Sequence, residues 1–262
     1  MKKTLCAIAM LSYCLVMMPA AASAACTAID KVPFTVRKQG DYCLTRDVSL
    51  HDGAVGILVE ADQTVIDLGG HRLQGTGGEG SYGIRSEKGV TLRNGTISGF
   101  NIGIAGGSGS LIENLWIEKS TRTGILVNGA GSVVRNNIVT DARAAFEAYG
   151  IVAMGGKNRI LDNRITEMKG ASGGRGFGIR VYAAGGNVIE GNQIGNASFI
   201  PNTFGIVVSG AESRNNALNA NSITNVENGI VYDRGGSGTN RGNRTTGVRN
   251  RYVGGTDGGG ND

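Results

Sequence analysis

The dipeptide Gly-Ile returns eight times along the chain, at Gly56, Gly83, Gly103, Gly124, Gly150, Gly178, Gly205 and Gly229. Successive spacings are 27, 20, 21, 26, 28, 27 and 24 residues. Self-similarity at that period marks a chain built from stacked units, none of which can bury its apolar face alone. Each Gly-Ile leads into a small or Gly-rich turn, a second apolar pair, and an Asn followed closely by Ile or Val, as in Val133-Val-Arg-Asn-Asn137-Ile-Val139 and Ile160-Leu-Asp-Asn163-Arg-Ile165. The recurring Asn residues, read as Asn94, Asn114, Asn137, Asn163, Asn192 and Asn221, fall where the chain should bend between short strands. There an amide can bond its counterparts above and below and accept backbone N–H groups of the turn. The Gly before each Ile suits a bend with no room for a side chain. Helix is excluded, because 45 of 262 residues are Gly and each would cost a helix about 1 kcal/mol. The expectation is an all-β solenoid of about eight coils, with strands spaced by about 4.8 Å.

These units, together with Val65-Ile-Asp67-Leu-Gly-Gly-His71 as a first-coil motif, resemble the right-handed parallel β-helix repeat family, the superfamily that contains pectate lyases. The resemblance runs from about Val32 to Val231. It implies a single-stranded right-handed parallel β-helix. It leaves the activity open, because the fold hosts lyases, hydrolases, epimerases, binding modules and spike proteins. The chain departs from the catalytic members in several respects. The clustered strand carboxylates of calcium-dependent lyases are reduced to Glu87 and Asp233, and neither Gly-His-Gly nor Asp-Pro-His-Asp occurs.

The ends differ from the middle. Lys2 and Lys3, the apolar run Leu5 to Met18, and Ala22-Ser23-Ala24 read as a secretory signal peptide over residues 1–24. The apolar run is too short for a membrane span, so no membrane association is expected after cleavage. Export to the periplasm or beyond follows. The remaining Cys26 and Cys43, 17 positions apart, are expected to form a disulfide. Residues 25–55 lack the repeat, and Phe34-Thr-Val-Arg with Asp41-Tyr-Cys-Leu reads as a strand pair forming an N-terminal cap. Residues 56–233 carry the repeats, and 234–262 read as a loosely ordered end rich in Gly, Asn and Arg, either a solvated tail or a last polar coil with a disordered tip. Its Arg234, Arg241, Arg244, Arg249 and Arg251 are a candidate anionic-glycan contact. Loss of Lys2 and Lys3 leaves 24 basic against 21 acidic residues, too mild a balance to imply nucleic acid.

Insertions locate the candidate site. Three coils carry extra residues just before Gly-Ile, at 141–149, 167–177 and 196–204. In register, these loops would form a wall beside the Gly-Ile strands, where functional residues concentrate. With each Ile inward, alternation gives an outward column Arg85, Ala105, Leu126, Val152, Arg180, Val207 and Val231, oddly apolar for a solvent face. Either the loops and tail, or a ligand or partner, should cover it. A second column runs Glu87, Gly107, Asn128, Met154, Tyr182, Ser209 and Asp233. Arg180 and Tyr182 are the catalytic candidates: a cation to neutralise a uronate carboxylate, and a base or acid for the C5 proton and leaving oxygen. Arg143, Glu147, Tyr149, Lys169, Arg175 and Asp233 are the substrate-binding candidates. Trp116 should face outward, as a sugar platform or a packing residue. His51 and His71 are too separated for a metal site, and neither metal nor cofactor is expected. The expected partner is an anionic polysaccharide, bound and as a candidate reaction cleaved or epimerised. The alternatives are a non-catalytic structural or adhesion rod and a periplasmic accessory protein for a metalloenzyme.

Overall fold

The computed structural model describes residues 26–262 except Gly53 and Ser172; residues 1–24, read from the sequence as a signal peptide, lie outside the described residues. The chain winds as a parallel β-solenoid of about nine turns, with no helix among the described residues. The strands join into one continuous parallel sheet that wraps the coil as three faces, called here the first, second and third sheet, and most turns contribute to each face. The first sheet carries the Gly-Ile strands, such as Tyr82–Ser86, Ile102–Gly106 and Thr123–Val127. The second carries segments such as Val133–Arg135 and Arg159–Leu161, and the third segments such as Ile138–Thr140 and Arg164–Thr166.

Register is strict, so like stacks on like. Ile84, Ile104, Ile125, Ile151, Ile179, Ile206 and Ile230 follow one another on the first sheet, and all are fully buried. Ile97, Ile117, Val139, Ile165, Ile194 and Ile223 do the same on the third. The Gly preceding each Ile is needed for close approach. A Cβ on Gly83 would sit 2.6 Å from the Gly103 carbonyl oxygen and 2.7 Å from an Ile97 methyl; one on Gly205 would meet Gly229 O and Ile223 at 2.6 and 2.7 Å.

The Asn column exists, but it starts later than the sequence reading places it. Asn137, Asn163, Asn192, Asn221, Asn243 and Asn261 form an amide ladder, each Nδ2 donating to the next Oδ1 at 2.9–3.1 Å. Asn192 also donates to Ile160 O at 2.9 Å and accepts from Asn163 N at 3.0 Å. Asn94 and Asn114 stand outside it. They occupy the position one residue earlier, exposed, with left-handed φ of 59° and 54°. That position belongs to Asn136 and Asp162 in the later coils, with φ of 55° and 53°. Asn tolerates this conformation better than most residues, so one residue type serves two adjacent jobs.

Both ends continue the winding. Phe34–Val36 and Gly40–Leu44 do not pair with each other. Phe34 aligns with Ile57, and Tyr42 aligns with both Thr27 and Ile66, all in parallel. The strand pair expected as a cap is therefore part of a coil. The segment after Arg234 also carries strands, at Gly238–Arg241, Arg244–Thr246 and Asn250–Val253, in register with the coil before it. Asn240 and Thr245 are buried there, polar residues aligned with Leu218 and Ile223 of the coil before. Cys26 and Cys43 form a disulfide, with Cα atoms 5.8 Å apart, tying neighbouring strands of the first turns.

Replacing Asn192 by Ala leaves several buried partners unpaired, each at about 1–3 kcal/mol. We expect a loss of about 3 kcal/mol or more in chemical denaturation, whereas Asn114→Ala costs under about 1 kcal/mol. Cys26→Ala with Cys43→Ala is expected to cost about 3 kcal/mol, by loop-closure arithmetic.

Candidate functional site

The strands of the first sheet set out their residues in rows. Ahead of each Gly-Ile, the aligned positions are Tyr82, Ile102, Thr123, Tyr149, Phe177 and Phe204. Tyr149 and Phe177 stack with ring centres 5.1 Å apart, and Phe177 and Phe204 with centres 4.9 Å apart, at 15° and 14° between planes. Such pairs contribute about 0.5–1.5 kcal/mol each beyond their burial. This aromatic stack packs on the outward apolar column: Val152 and Val207 are buried with it, and Leu126 and Val231 lie against it. The outward column aligns as expected, from Arg85 through Val152 and Arg180 to Val231. Part of it is covered by Tyr149, Phe177 and Phe204, the last residues of the three inserted segments.

The inserted segments flank this surface. Arg143–Ala144 and Lys169–Gly170 pair as a separate two-stranded parallel sheet. The strand Glu147–Ala153 lies beside Arg175–Tyr182, with Glu147 opposite Arg175 and Tyr149 opposite Phe177. The Glu147 carboxylate consequently receives the Arg175 guanidinium and the Tyr149 hydroxyl. Arg180 donates from Nη1 to the Tyr149 oxygen at 3.0 Å and approaches Glu147 Oε2 at 3.6 Å. Its guanidinium carbon lies 5.1 Å from the Phe177 ring centre and 5.7 Å from that of Tyr182. Arg180 Nε is buried and has no partner among the described residues.

Burial of Glu147 works against its charge. The Tyr149 hydrogen bond and the charges of Arg175 and Arg180 outweigh it, and hold the carboxyl below its ordinary value near 4.5. Burial, then the hydrogen bond to Glu147, pushes the Tyr149 phenol up. At neutral pH the cluster therefore holds an ionised Glu147, a protonated Tyr149 and two arginines.

A groove of about 430 Å³ opens over this face, lined among others by Tyr82, Arg122, Tyr149, Arg180, Tyr182 and Arg234. No carboxylate lines it. A larger hollow of about 730 Å³ continues from it, sharing Tyr82, Ile102, Arg122 and Tyr149, and reaches Glu79, Asn101, Phe146 and Glu147. Another hollow of about 430 Å³ lies on the third sheet, between Arg164, Gln193 and Ser222, and has no aromatic lining.

The expected site residues thus divide. Arg180, Tyr182, Glu147, Tyr149 and Arg175 come together. Arg143 is held by Asp141 in the small flanking sheet beside Lys169, and neither lines the groove. Asp233 aligns with Ser209, which aligns with Tyr182. Asp233 has a buried, unpartnered Oδ1 and does not line the groove, but the next residue, Arg234, does. Trp116 is half-exposed beside Ile138 on the third sheet, away from the groove. Arg122 and the stacking of Tyr149 with Phe177 and Phe204 were not singled out from the sequence, and Arg234 was named there only among the arginines of the tail. A signal for the stack was present, since Tyr or Phe precedes Gly-Ile at 82, 149, 177 and 204. Among the described residues, no group of three or more His, Cys, Asp or Glu could hold a metal ion.

Comparison with known proteins agrees with this architecture. Residues 35–174, more than half of the chain, match the family described as the right handed beta helix region. The chain belongs to that family of right-handed parallel β-helices. A search of curated protein sequences finds no match. Among solved structures, the enzymatically active domain of bacteriophage CBA120 tailspike protein 2 superposes with a TM-score of 0.53 at 14% identity, covering 80% of this chain and 38% of that one. This chain thus spans little more than a third of the tailspike domain's length. The alginate lyase of Paenibacillus sp. FPU-7 gives 0.52 at 12% identity, covering 85% and 99%. Pectate lyase Pel9A gives 0.50 at 15%, covering 87% and 69%. At these identities the likeness is one of fold.

The lowered Glu147 pKa has a definite sign. A depressed folded-state value contributes stability above the unfolded pKa, and that contribution is lost as pH falls through the folded one. The stability advantage of wild type over Glu147→Gln should therefore be full at pH 7 and shrink as pH falls below about 4.5. Denaturant titrations of both proteins at pH 7, 5 and 3 measure it, and an advantage constant across that range contradicts the ion-paired geometry.

Proposed function

We propose that this chain is an exported glycan-binding protein whose ligand is an acidic polysaccharide lying in the groove over the first sheet. One observation carries the reading. The groove between Arg122, Arg180 and Arg234 collects three cations and no carboxylate, and it is lined by tyrosines. Guanidinium groups match carboxylates with paired donors, and tyrosine rings present apolar faces to the C–H faces of sugars. A long, rigid, preformed surface suits a polymer, because little ordering cost is added on binding. Export is supported by the sequence of residues 1–24 and by the disulfide.

Two of the fold relatives are named as lyases, of alginate and of pectate, and the same face could carry that class of reaction. In a lyase step a base takes the proton from C5 of a uronate, its electron pair forms the C4–C5 double bond, and the C4–O bond breaks. The leaving oxygen then takes a proton, and no water is consumed. Arg122 and Arg234 would hold the uronate carboxylate, Arg180 would add its positive charge behind them, and the Tyr182 hydroxyl would carry the proton. Recombination of the proton from the opposite face would instead give an epimer.

The test mixes the chain from Ala25 onward with polygalacturonate, alginate and a neutral glucan, measuring affinity and following proton NMR over hours. Binding to an acidic polymer and not to the glucan is expected, weakened about tenfold in Arg122→Ala. Signals of unsaturated or C5-inverted uronate that vanish in Tyr182→Phe would make the protein an enzyme. Absence of binding to all three would overturn the proposal in favour of a non-catalytic rod.

A further inference from the structure

The two connected hollows differ in charge. In the first, Arg180 is already engaged by Tyr149 and Glu147. The cations left for a ligand are Arg122 and Arg234, both exposed and without an ion-pair partner among the described residues. In the second hollow, the Glu147 carboxylate is balanced by Arg175 and Arg180. Glu79 is not: it is exposed and has no ion-pair partner among the described residues. Arg122 stands at the junction, lining both. Free charge therefore runs positive at Arg234, positive at Arg122 and negative at Glu79.

The lining changes with the charge. Beside Glu79 the second hollow offers Asn101 and Thr121, with Phe146, the most exposed large apolar side chain described, at 82% exposure. A carboxylate, an amide and a hydroxyl accept and donate hydrogen bonds to sugar hydroxyls, and an open aromatic ring is a stacking surface. A free carboxylate repels a uronate. The first hollow favours an acidic sugar and the second favours a neutral one.

We propose that the ligand is a heteropolysaccharide in which acidic and neutral sugars alternate or adjoin, its acidic unit held between Arg122 and Arg234 and its neutral unit beside Glu79 and Phe146. A homopolymer of uronate would have to place a carboxylate against Glu79. This inference rests on the acidic-glycan reading of the same groove and narrows it.

The experiment compares affinities by calorimetry at low salt, where charge effects are least screened. The probes are hyaluronan oligosaccharides, which alternate glucuronate and a neutral amino sugar, oligogalacturonates of equal length, and a neutral glucan. The expected order is hyaluronan first, oligogalacturonate about fivefold weaker, and the glucan undetectable. Glu79→Gln should strengthen oligogalacturonate about fivefold and leave hyaluronan within twofold, while Arg234→Gln should weaken both acidic ligands about fivefold. Phe146→Ala should weaken hyaluronan more than oligogalacturonate. Equal affinities for the two acidic ligands, with no response to Glu79→Gln, would overturn the inference and leave the acidic-glycan reading standing. Failure of both acidic ligands to bind would remove both. Glu79 and Phe146 are exposed, so their replacement leaves the core intact.

Discussion

A coil in this molecule cannot satisfy its own backbone. Its N–H and C=O groups find partners only in the coils above and below, so position in one turn dictates position in the next. That single constraint explains the Gly-Ile glycines, because a Cβ at Gly83 or Gly205 would lie only 2.6 Å from the carbonyl oxygen of the next coil. It also explains why the bends are built from Asn. A buried amide with two donors and an acceptor can serve its own turn and its neighbour's, and an amide left unpaired in the same place would be costly.

Strict register turns the outer surface into a grid as well. Side chains recur at strand spacing, and what differs from row to row is chemistry rather than position. The Tyr149–Phe177–Phe204 stack is the core principle repeated on the outside: apolar residues aligned in register cover one another. It places a firm floor under Arg180, and the longer coils bring Glu147 and Arg175 alongside. The outcome is a hydrogen-bonded quartet of side chains, one carboxylate among two arginines and a tyrosine, flanked by two further arginines with no ion-pair partner among the described residues. The most conspicuous cation in the sequence is therefore the one least free to meet an outside anion.

Much of this could be read from residue order, because in a solenoid the period carries the topology. Alternation about the Ile residues gave the outward column residue by residue, and the aligned strands agree with it. Three features were harder to read for physical reasons. Asn94 and Asn114 look like ladder residues because Asn favours both the buried bond and the left-handed bend beside it, and the two positions differ by one residue. The first and last coils lack the Gly-Ile mark because a terminal turn has a neighbour on one side only and is released from half the packing demand. Arg122 and Arg234 lie just outside the strands, where alternation has no hold, and only the folded chain shows that they reach one groove.

The amide ladder runs from Asn137 to Asn261 and is missing from the first coils, which hold the disulfide instead. Two stretches of the rod are thus fastened by different chemistry: the first turn by a covalent clip sensitive to thiols, and the coils from Asn137 onward by a run of buried amides indifferent to them. A reductant reaches only the first turn, and the coils that carry Tyr149, Phe177 and Arg180 keep their fastening in either redox environment. The aromatic stack is insulated from ambient oxidising power, although the chain as a whole is not.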